Sequence, residues 1–195
     1  VHALAALKLG CSRVVAFDFD SNSVETSRTV LSRSAGRNWS LHQGSILDKN
    51  FVSSLGTFDV VFSWGVLHHT GNMWEALENA ARCVSPGGYL YIALYEKETS
   101  LGKRASFWMM LKKFYNRSGW ITRRCLESLY ILAHALQLIL NRHNPLTYIC
   151  NYRGTTRGMN YITDVRDWLG GWPMEFASIN EVIKRMCQQG EYTLS

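Results

Sequence analysis

Short apolar runs alternate with helix-like segments through the first half of the chain. Val14–Asp18, Phe58–Trp64 and Tyr89–Tyr95 are apolar runs typical of buried parallel strands, and Trp39–His42 is a weaker strand. Strands that alternate with helices form a parallel sheet covered on both faces. Residues 1–95 therefore predict an α/β fold with a doubly wound, mostly parallel sheet.

The helices between these strands are predicted from apolar spacing and stop signals. A helix over His2–Leu9 ends at Gly10, and Ser21 or Asn22 is expected to cap the next helix. Met73–Val84 carries an apolar face at helical spacing. The crossover Ile46–Leu55 has room for a short helix. Ser85-Pro86-Gly87-Gly88 predicts a sharp break before the last strand.

The second half of the chain follows a different pattern. Helices are predicted at Ala105–Tyr115, Thr122–Leu140 and Ile179–Gln189. The stretch Asn141–Met174 is long for a loop, so we expect a lid, a binding element or short structure that the pattern does not reveal. Tyr192–Ser195 is interpreted as the start of a strand.

These patterns predict three segments along the chain. They are a partial Rossmann-like core at 1–98, a helical cap at 99–178 that selects the acceptor, and a return to the core at 179–195.

Composition indicates a folded, globular chain, with 47% hydrophobic and 18% charged residues. The five cysteines are scattered without metal-binding spacing, so we predict no metal site and free thiols in a reducing cytoplasm. No signal peptide is evident. The longest apolar stretch, Leu126–Leu140, is too short and too interrupted by polar residues to span a bilayer.

Charge is distributed unevenly between the two halves. Residues 1–100 hold 8 Lys and Arg against 9 Asp and Glu, a net charge of −1, whereas residues 101–195 hold 13 against 6, a net charge of +7. A basic half can meet nucleic acid, a phosphorylated substrate or a membrane surface. A solvated basic face is the simpler interpretation.

Three predicted strand ends carry polar residues where α/β sheets bind ligands. Asp18, with Asp20 nearby, either accepts hydrogen bonds from ribose hydroxyls or caps the following helix. Asp48 either accepts a proton of an adenine amino group or is a helix cap. Ser63–Thr70 contains Gly65, which permits close backbone approach, and the pair His68 and His69.

Four of these segments, in order and spacing, resemble the later motifs of class I S-adenosylmethionine-dependent methyltransferases of the type 11/12-like kind. They are Val14–Asp20, Gly44–Asp48, Phe58–His69 and Val84–Tyr95. The resemblance implies a Rossmann-like enzyme whose cofactor is S-adenosyl-L-methionine. The glycine-rich first motif and first strand of the family are not among these residues. We therefore expect an N-terminally truncated fragment that binds the cofactor poorly.

The resemblance also implies roles for individual residues. Asp18 would hold the ribose, Phe19 would lie beside adenine, and Asp48 would lie near the adenine pocket. Ser45 and Ile46 would line that pocket, and Ser63, Trp64 and Gly65 would pass near the methionine moiety. His68 and His69 would lie near the transferred methyl group, either as a general base or as residues that shape the pocket.

The acceptor is predicted from the second half of the chain. Its apolar helix Leu126–Leu140 is expected to be a core or interface helix, or else a lid over a lipid-like acceptor, and a small-molecule or lipid-like acceptor is predicted. Alternatively, the basic and aromatic residues within 103–124 would bind RNA through phosphate contacts and stacking. A non-catalytic Rossmann-like binding module is a further alternative. A nicotinamide-dependent oxidoreductase would share the ribose acid, but it would not explain Trp64–His69.

Overall fold

The computed structural model of the chain describes residues 2–33, 38–99, 101–155 and 158–187. The chain divides into two compact units, residues 1–93 and residues 94–195. The first unit contains the parallel strands, and the described part of the second unit is helical. Within the described ranges, no helix combines the length and apolar character needed to cross a membrane.

The first unit alternates helices and strands as predicted. In chain order its elements are α1 (His2–Lys8), β1 (Val14–Asp18), α2 (Ser21–Leu31), β2 (Trp39–Gln43), α3 (Lys49–Leu55), β3 (Phe58–Trp64), the 3-10 turn Leu67–His69, α4 (Met73–Arg82) and β4 (Val84–Ala93). The bounds of β1 and β3 are those predicted from the apolar runs.

The strands of the first unit pair in parallel, which confirms the predicted α/β class. β1 pairs with β2, with Val14 opposite Trp39 and Asp18 opposite Gln43. β3 pairs with β4, and Trp64 lies opposite Ala93. Among the described residues, these four strands form two separate two-stranded sheets.

The break expected at Ser85–Gly88 lies inside a strand. β4 begins at Val84 and ends at Ala93, whereas Tyr89–Tyr95 was predicted. The five extra residues at its start are accommodated by a shift in register between Phe58 and Val60 of the partner strand. Gly87 has φ +77°, and a Cβ on Gly88 would lie 2.8 Å from the Asp59 carbonyl oxygen. Glycine is required here because the irregular part of β4 has a left-handed backbone conformation at Gly87 and approaches the backbone of β3 closely at Gly88.

The predicted cap of α2 is wrong by one residue. Asp20, not Ser21 or Asn22, is the cap, and its carboxylate accepts hydrogen bonds from the Ser23 amide at 2.9 Å and the Ser23 hydroxyl at 3.0 Å. The helix begins at Ser21, so the residue that can reach back to the free amides is the aspartate before it.

The core of the first unit is aliphatic. Met73, Ala76, Leu77, Ala80 and Ala81 of α4 are each at most 3% exposed. Their spacing places them on one face of the helix, and the alanines allow the chain to pack closely against it. Val24, Leu31, Val52, Leu55 and Leu67 are also buried.

The second unit is built from helices. They are the 3-10 turn Gly102–Arg104, α5 (Ala105–Arg117), α6 (Trp120–Leu140), α7 (Pro145–Thr155), α8 (Tyr161–Gly170) and α9 (Ile179–Cys187). The three predicted helices are confirmed with small changes at their ends. α7 and α8 occupy most of Asn141–Met174, so this stretch contains the short structure that was expected as one alternative, and its use as a lid or a binding element stays a prediction.

The two compact units divide after Ala93, and the described part of 179–195 groups with the second unit. There Glu181 forms an ion pair with Lys97 at 2.5 Å, and Ala177 bridges to Glu96 in parallel. The strand predicted at Tyr192–Ser195 lies outside the described residues.

Candidate functional site

The carboxyl ends of β1 and β2 form one polar edge of the first unit. Asp18 and Gln43 are register partners, and the amide of Gly44 donates to the carbonyl oxygen of Asp18 at 3.0 Å. The Gln43 side chain donates to the Phe19 carbonyl oxygen at 3.3 Å. The structure therefore brings Asp18 and Phe19 beside the segment Ser45–Asp48.

Asp18 keeps an open carboxylate oxygen at this edge. Its Oδ1 accepts the Asp20 amide at 3.0 Å, and within the described part of the chain no group donates to its Oδ2. The side chain is exposed at the end of β1, and Phe19 beside it is 78% exposed. An exposed carboxylate oxygen next to a bare aromatic ring is the combination that a ribose and a purine base require.

Asp48 is the cap of α3. Its Oδ1 accepts from the amides of Asn50 at 3.0 Å and Phe51 at 3.1 Å. Of the two alternatives for Asp48, the structure contains the helix cap. Ser45 stabilises the same loop, because its hydroxyl accepts the Leu47 amide at 3.1 Å and its carbonyl accepts the Asp48 amide at 3.1 Å.

Asn79 holds this loop from α4, and the sequence analysis missed it. Its side-chain amide donates to the Ile46 carbonyl at 2.9 Å, and the residue is 1% exposed. A buried amide must be hydrogen-bonded, so its position is fixed by that contact. The signal was present in the sequence, because Asn79 interrupts the apolar face of a helix formed by Ala76, Leu77 and Ala80.

Gly44 allows the loop to sit against α3. A Cβ on Gly44 would lie 2.4 Å from the ring of Phe51, which itself packs edge-on against Phe17 with ring centroids 5.2 Å apart. A larger residue would push the ring and the loop apart. Gly44 therefore sets the position of Ser45 and Ile46 through packing.

The carboxyl end of β3 forms a second edge. Ser63 and Trp64 pair with Ile92 and Ala93, and Trp64 is 54% exposed while stacking on Tyr91 at 5.8 Å between ring centroids. Gly65 turns the chain with φ +73° and donates its amide to the Ala93 carbonyl at 3.1 Å. This left-handed conformation favours glycine, which explains the residue at this turn.

The two histidines differ in exposure. Both lie on the 3-10 turn Leu67–His69, with ring centroids 4.4 Å apart. His68 is 2% exposed, whereas His69 is partly exposed. A buried imidazole contributes to the shape of the turn, and the accessible ring of the pair is that of His69.

Electrostatic features of the first unit are modest. Hydrogen bonds from the Ser23 amide and hydroxyl hold the pKa of the Asp20 carboxyl below its ordinary value. In the described ranges no group of three or more His, Cys, Asp or Glu side chains could hold a metal ion.

Two cations of the predicted RNA-binding segment are engaged within the second unit. Lys112 is 1% exposed, and its ammonium donates to the Trp168 carbonyl and lies 4.1 Å from the centre of the Trp168 ring. Arg123 donates to the carbonyls of Tyr115 at 3.1 Å and Asn116 at 2.7 Å. The remaining exposed cations of 103–124 are Lys103, Arg104, Lys113, Arg117 and Arg124.

Comparison with known proteins finds that the first unit is similar to methyltransferase domains. Residues 1–90 match the family described as "Methyltransferase domain". No curated protein matches the chain. The chain is similar in fold to PKMT2 from Rickettsia typhi, a structure in complex with AdoHcy, with a TM-score of 0.56 and 15% identity. That match covers 90% of this chain and 34% of the other, so the chain spans about a third of its length.

Proposed function

We propose that the protein is a class I S-adenosylmethionine-dependent methyltransferase that acts on a small-molecule or lipid-like acceptor, and the similarity of residues 1–90 to a methyltransferase domain family supports this. The observation that carries the proposal is the edge of β1 and β2. There an open carboxylate oxygen of Asp18, a bare Phe19 ring and the fixed loop Ser45–Asp48 lie side by side.

These residues fit the adenosine part of the cofactor. Asp18 Oδ2 would accept from the ribose hydroxyls, and the exposed ring of Phe19 would pack against the base. Ser45 and Ile46 would line the base pocket at positions set by Asn79 and Gly44. Asp48 uses one carboxylate oxygen for the helix cap, which leaves the second for the adenine amino group.

The edge at the end of β3 would face the reacting atoms. The cofactor supplies an electrophilic methyl group on a sulfonium, which is transferred to a nucleophilic acceptor atom while the carbon–sulfur bond breaks. Ser63, Trp64 and Gly65 would position the methionine part, since the turn at Gly65 lets the backbone approach closely. Transfer then depends on the alignment of the acceptor in line with the breaking bond.

Proton removal is needed only where the acceptor atom carries a proton. His69 is the stronger candidate for that role because its ring is partly exposed, whereas buried His68 would shape the turn. Replacement of His69 by Gln would then lower turnover more at neutral pH, where an imidazole is unprotonated and able to accept a proton, than at acidic pH, where it is already protonated. An unchanged pH profile would restrict His69 to a structural role.

The second unit supports an apolar acceptor. It exposes large apolar side chains on α5, namely Phe107, Met110 and Phe114. RNA remains the second candidate acceptor because Lys103, Arg104, Lys113 and Arg117 are exposed. Internal use of Lys112 and Arg123 removes two of the cations on which that alternative depends.

Saturation-transfer NMR with S-adenosylhomocysteine tests the proposal, because it detects millimolar binding by the full chain. Adenine and ribose protons should receive saturation from the wild type. The Asp18→Asn variant should weaken binding by about tenfold, since a hydrogen bond to a charged group is lost. Glu25→Gln, an exposed acid on α2, is the matched control. Absence of saturation with the wild type, or equal signals from Asp18→Asn, would contradict the proposal.

A further inference from the structure

Helix α6 exposes a stripe of large apolar side chains. Leu129, Leu132, Leu136 and Ile139 recur every three or four residues, so they lie along one face of the helix, and each is 53–63% exposed. The other face packs into the core of the second unit through Leu126, Tyr130 and Ile131. α6 therefore has two apolar faces, and one of them faces outward.

The stripe is free of charge along its length and continues past both ends. Residues 128–141 contain no Asp, Glu, Lys or Arg. Ile121 extends the stripe at the start of the helix with 70% exposure, and Leu140 and Leu146 continue the apolar surface at its end with 83% and 75%. Monomeric proteins rarely expose apolar surface of this extent without a partner.

The sequence around the stripe is almost purely basic. Residues 99–163 contain ten Lys and Arg and one acid, Glu127. Glu127 is buried and forms ion pairs with Arg124 at 2.7 Å and Arg166 at 3.1 Å. The exposed charge of this stretch is therefore positive, and a partner that complements it must carry negative charge beside apolar surface.

One cation borders the stripe directly. A shallow depression of about 440 Å³ on α6 is lined by Arg124, Cys125, Ser128, Leu129 and Leu132. The depression places the positively charged guanidinium of Arg124 beside leucine side chains. A phospholipid places a negatively charged headgroup beside hydrocarbon, so its charge and its acyl chain complement this surface.

We infer that α6 docks the protein on the surface of a bilayer that contains anionic phospholipids. The helix lies in the headgroup region, with Leu129, Leu132, Leu136 and Ile139 inserted among the upper acyl chains. Exposed cations near α6, including Arg117 and Arg142, remain at the level of the phosphates. This docking is independent of the acceptor that the first unit methylates.

The same observations weigh against two other partners. A second copy paired through the stripe would place Arg124 opposite Arg142 in an antiparallel arrangement, or like residues together in a parallel one, and the stretch has no exposed acid to compensate. RNA would require cations along the contact, but residues 128–141 have none.

Co-sedimentation of the full chain with phospholipid vesicles tests the inference. The wild type should sediment with vesicles of phosphatidylcholine and phosphatidylglycerol, and at least about tenfold less with phosphatidylcholine alone. The variant Leu132→Gln with Leu136→Gln should lose at least about tenfold in affinity for the anionic vesicles, because two leucine side chains no longer enter hydrocarbon.

Two further variants separate the apolar and ionic contributions. Leu9→Gln with Ile179→Gln changes two apolar residues that are 85% and 66% exposed outside the stripe, and it should bind like the wild type. Arg117→Gln with Arg142→Gln should weaken binding to anionic vesicles by about tenfold and leave the weak binding to phosphatidylcholine unchanged. Circular dichroism melting confirms that each variant is folded, as expected for changes at exposed positions.

Three outcomes would overturn the inference. The first is a wild type that does not sediment with anionic vesicles. The second is an equal loss of vesicle affinity in the control variant Leu9→Gln with Ile179→Gln, which would show that the stripe does not mediate the binding. The third is a dimer in light scattering that the stripe variant converts to a monomer without any change in vesicle binding, which would assign the face to a second copy.

Discussion

The two units are stabilised by different kinds of core. The first unit buries aliphatic side chains, and the carboxylates of Asp18, at the end of β1, and Asp48, at the start of α3, are exposed. The second unit buries tyrosines together with charged groups, including Lys112 and Glu127. The comparison shows that exposed polar residues at the end of a strand are candidates for ligand binding. Polar residues inside a core, by contrast, stabilise the fold by pairing with one another.

Hydroxyl groups connect the core of the second unit. Tyr115 donates to Glu127 at 2.9 Å, Tyr152 donates to Asp164, and the Tyr161 hydroxyl lies 2.7 Å from Nδ1 of His134. Burial, together with the nearby tyrosines Tyr130 and Tyr148, raises the pKa of Tyr161 to about 12. These contacts satisfy polar groups that would otherwise be costly to bury.

Removal of the buried carboxylate should give the largest effect. Glu127→Ala leaves Tyr115, Arg124 and Arg166 without their acceptor, and we expect the free energy of unfolding to fall by about 2 to 3 kcal/mol. The loss stays below that of fully buried pairs because both arginines are partly exposed and can be hydrated. Urea unfolding measures it.

The matched control is Glu25→Ala, which breaks an exposed pair with Arg28 at 3.7 Å in the first unit. It should cost less than about 1 kcal/mol. Equal losses from the two variants would remove the distinction between the units.

Lys112 should make stability depend on pH. Burial lowers the pKa of its ammonium to about 8, against the opposing effect of Asp167, from an ordinary value of 10.5. Between these two values the unfolded chain binds more protons than the folded chain, so stability contributed by this residue rises with pH. From pH 7.5 to 9.5 the gain should be about 2 kcal/mol.

Urea unfolding at several pH values compares the wild type with Lys112→Met, in which this slope should be absent. Measurements stay below pH 10 because the raised pKa values of Tyr115, Tyr130 and Tyr161 produce a slope of opposite sign above it. The same pH dependence in both proteins would contradict the assignment to Lys112.

Loss of the buried side-chain amide of Asn79 in the first unit should have the next largest effect on stability. Asn79→Ala leaves the Ile46 carbonyl without its donor, and stability should fall by about 1 to 2 kcal/mol. Because Ile46 belongs to the proposed base pocket, the variant should also reduce saturation transfer to adenine protons. Asn116→Ala is the control, since its side chain donates to carbonyls at an exposed position. If Asn116→Ala lowered stability as much as Asn79→Ala, the burial of the Asn79 amide would not explain its effect.

The helix caps should give the smallest effects. Asp48→Ala and Asp20→Ala each remove a capping carboxylate from the first unit; Asp48→Ala should cost about 1 kcal/mol, and Asp20→Ala should lower the melting temperature slightly. Asp20→Ala should leave binding of S-adenosylhomocysteine unchanged, whereas Asp48→Ala should weaken it if the second oxygen contacts adenine. Thermal unfolding and NMR titration of the same samples separate the two roles, and unchanged binding by Asp48→Ala would restrict that residue to capping.

Much of the fold was predictable from local pattern. The apolar runs at Val14–Asp18 and Phe58–Trp64 gave strand bounds that match the structure, because a buried parallel strand needs a continuous apolar run. α7 and α8 were missed because Gly, Asn and Thr are weak helix formers. Asn144, Pro145 and Asn160 were available as start signals, since both asparagines accept backbone amides at helix starts.

The candidate site was predictable in its residues but not in its supports. Asp18 and Asp48 stood out because acids follow strands at the edge where parallel sheets bind ligands. The role of Asn79 depends on its hydrogen bond to Ile46, which lies 33 residues away in sequence, and a local sequence pattern does not reveal such a contact. The exposure of His69 and burial of His68 likewise depend on how the turn packs.

The sequence by itself determined the alternation of strands and helices and the acidic residues that follow strands, because these depend on periodicity and short motifs. Only the tertiary structure decided which side chains make contacts within the fold and which remain exposed. Asp48 caps a helix, Lys112 binds the Trp168 carbonyl, and the leucines of α6 remain outside. Hydrogen bonds and burial are properties of distant pairs, so their assignment requires the folded chain.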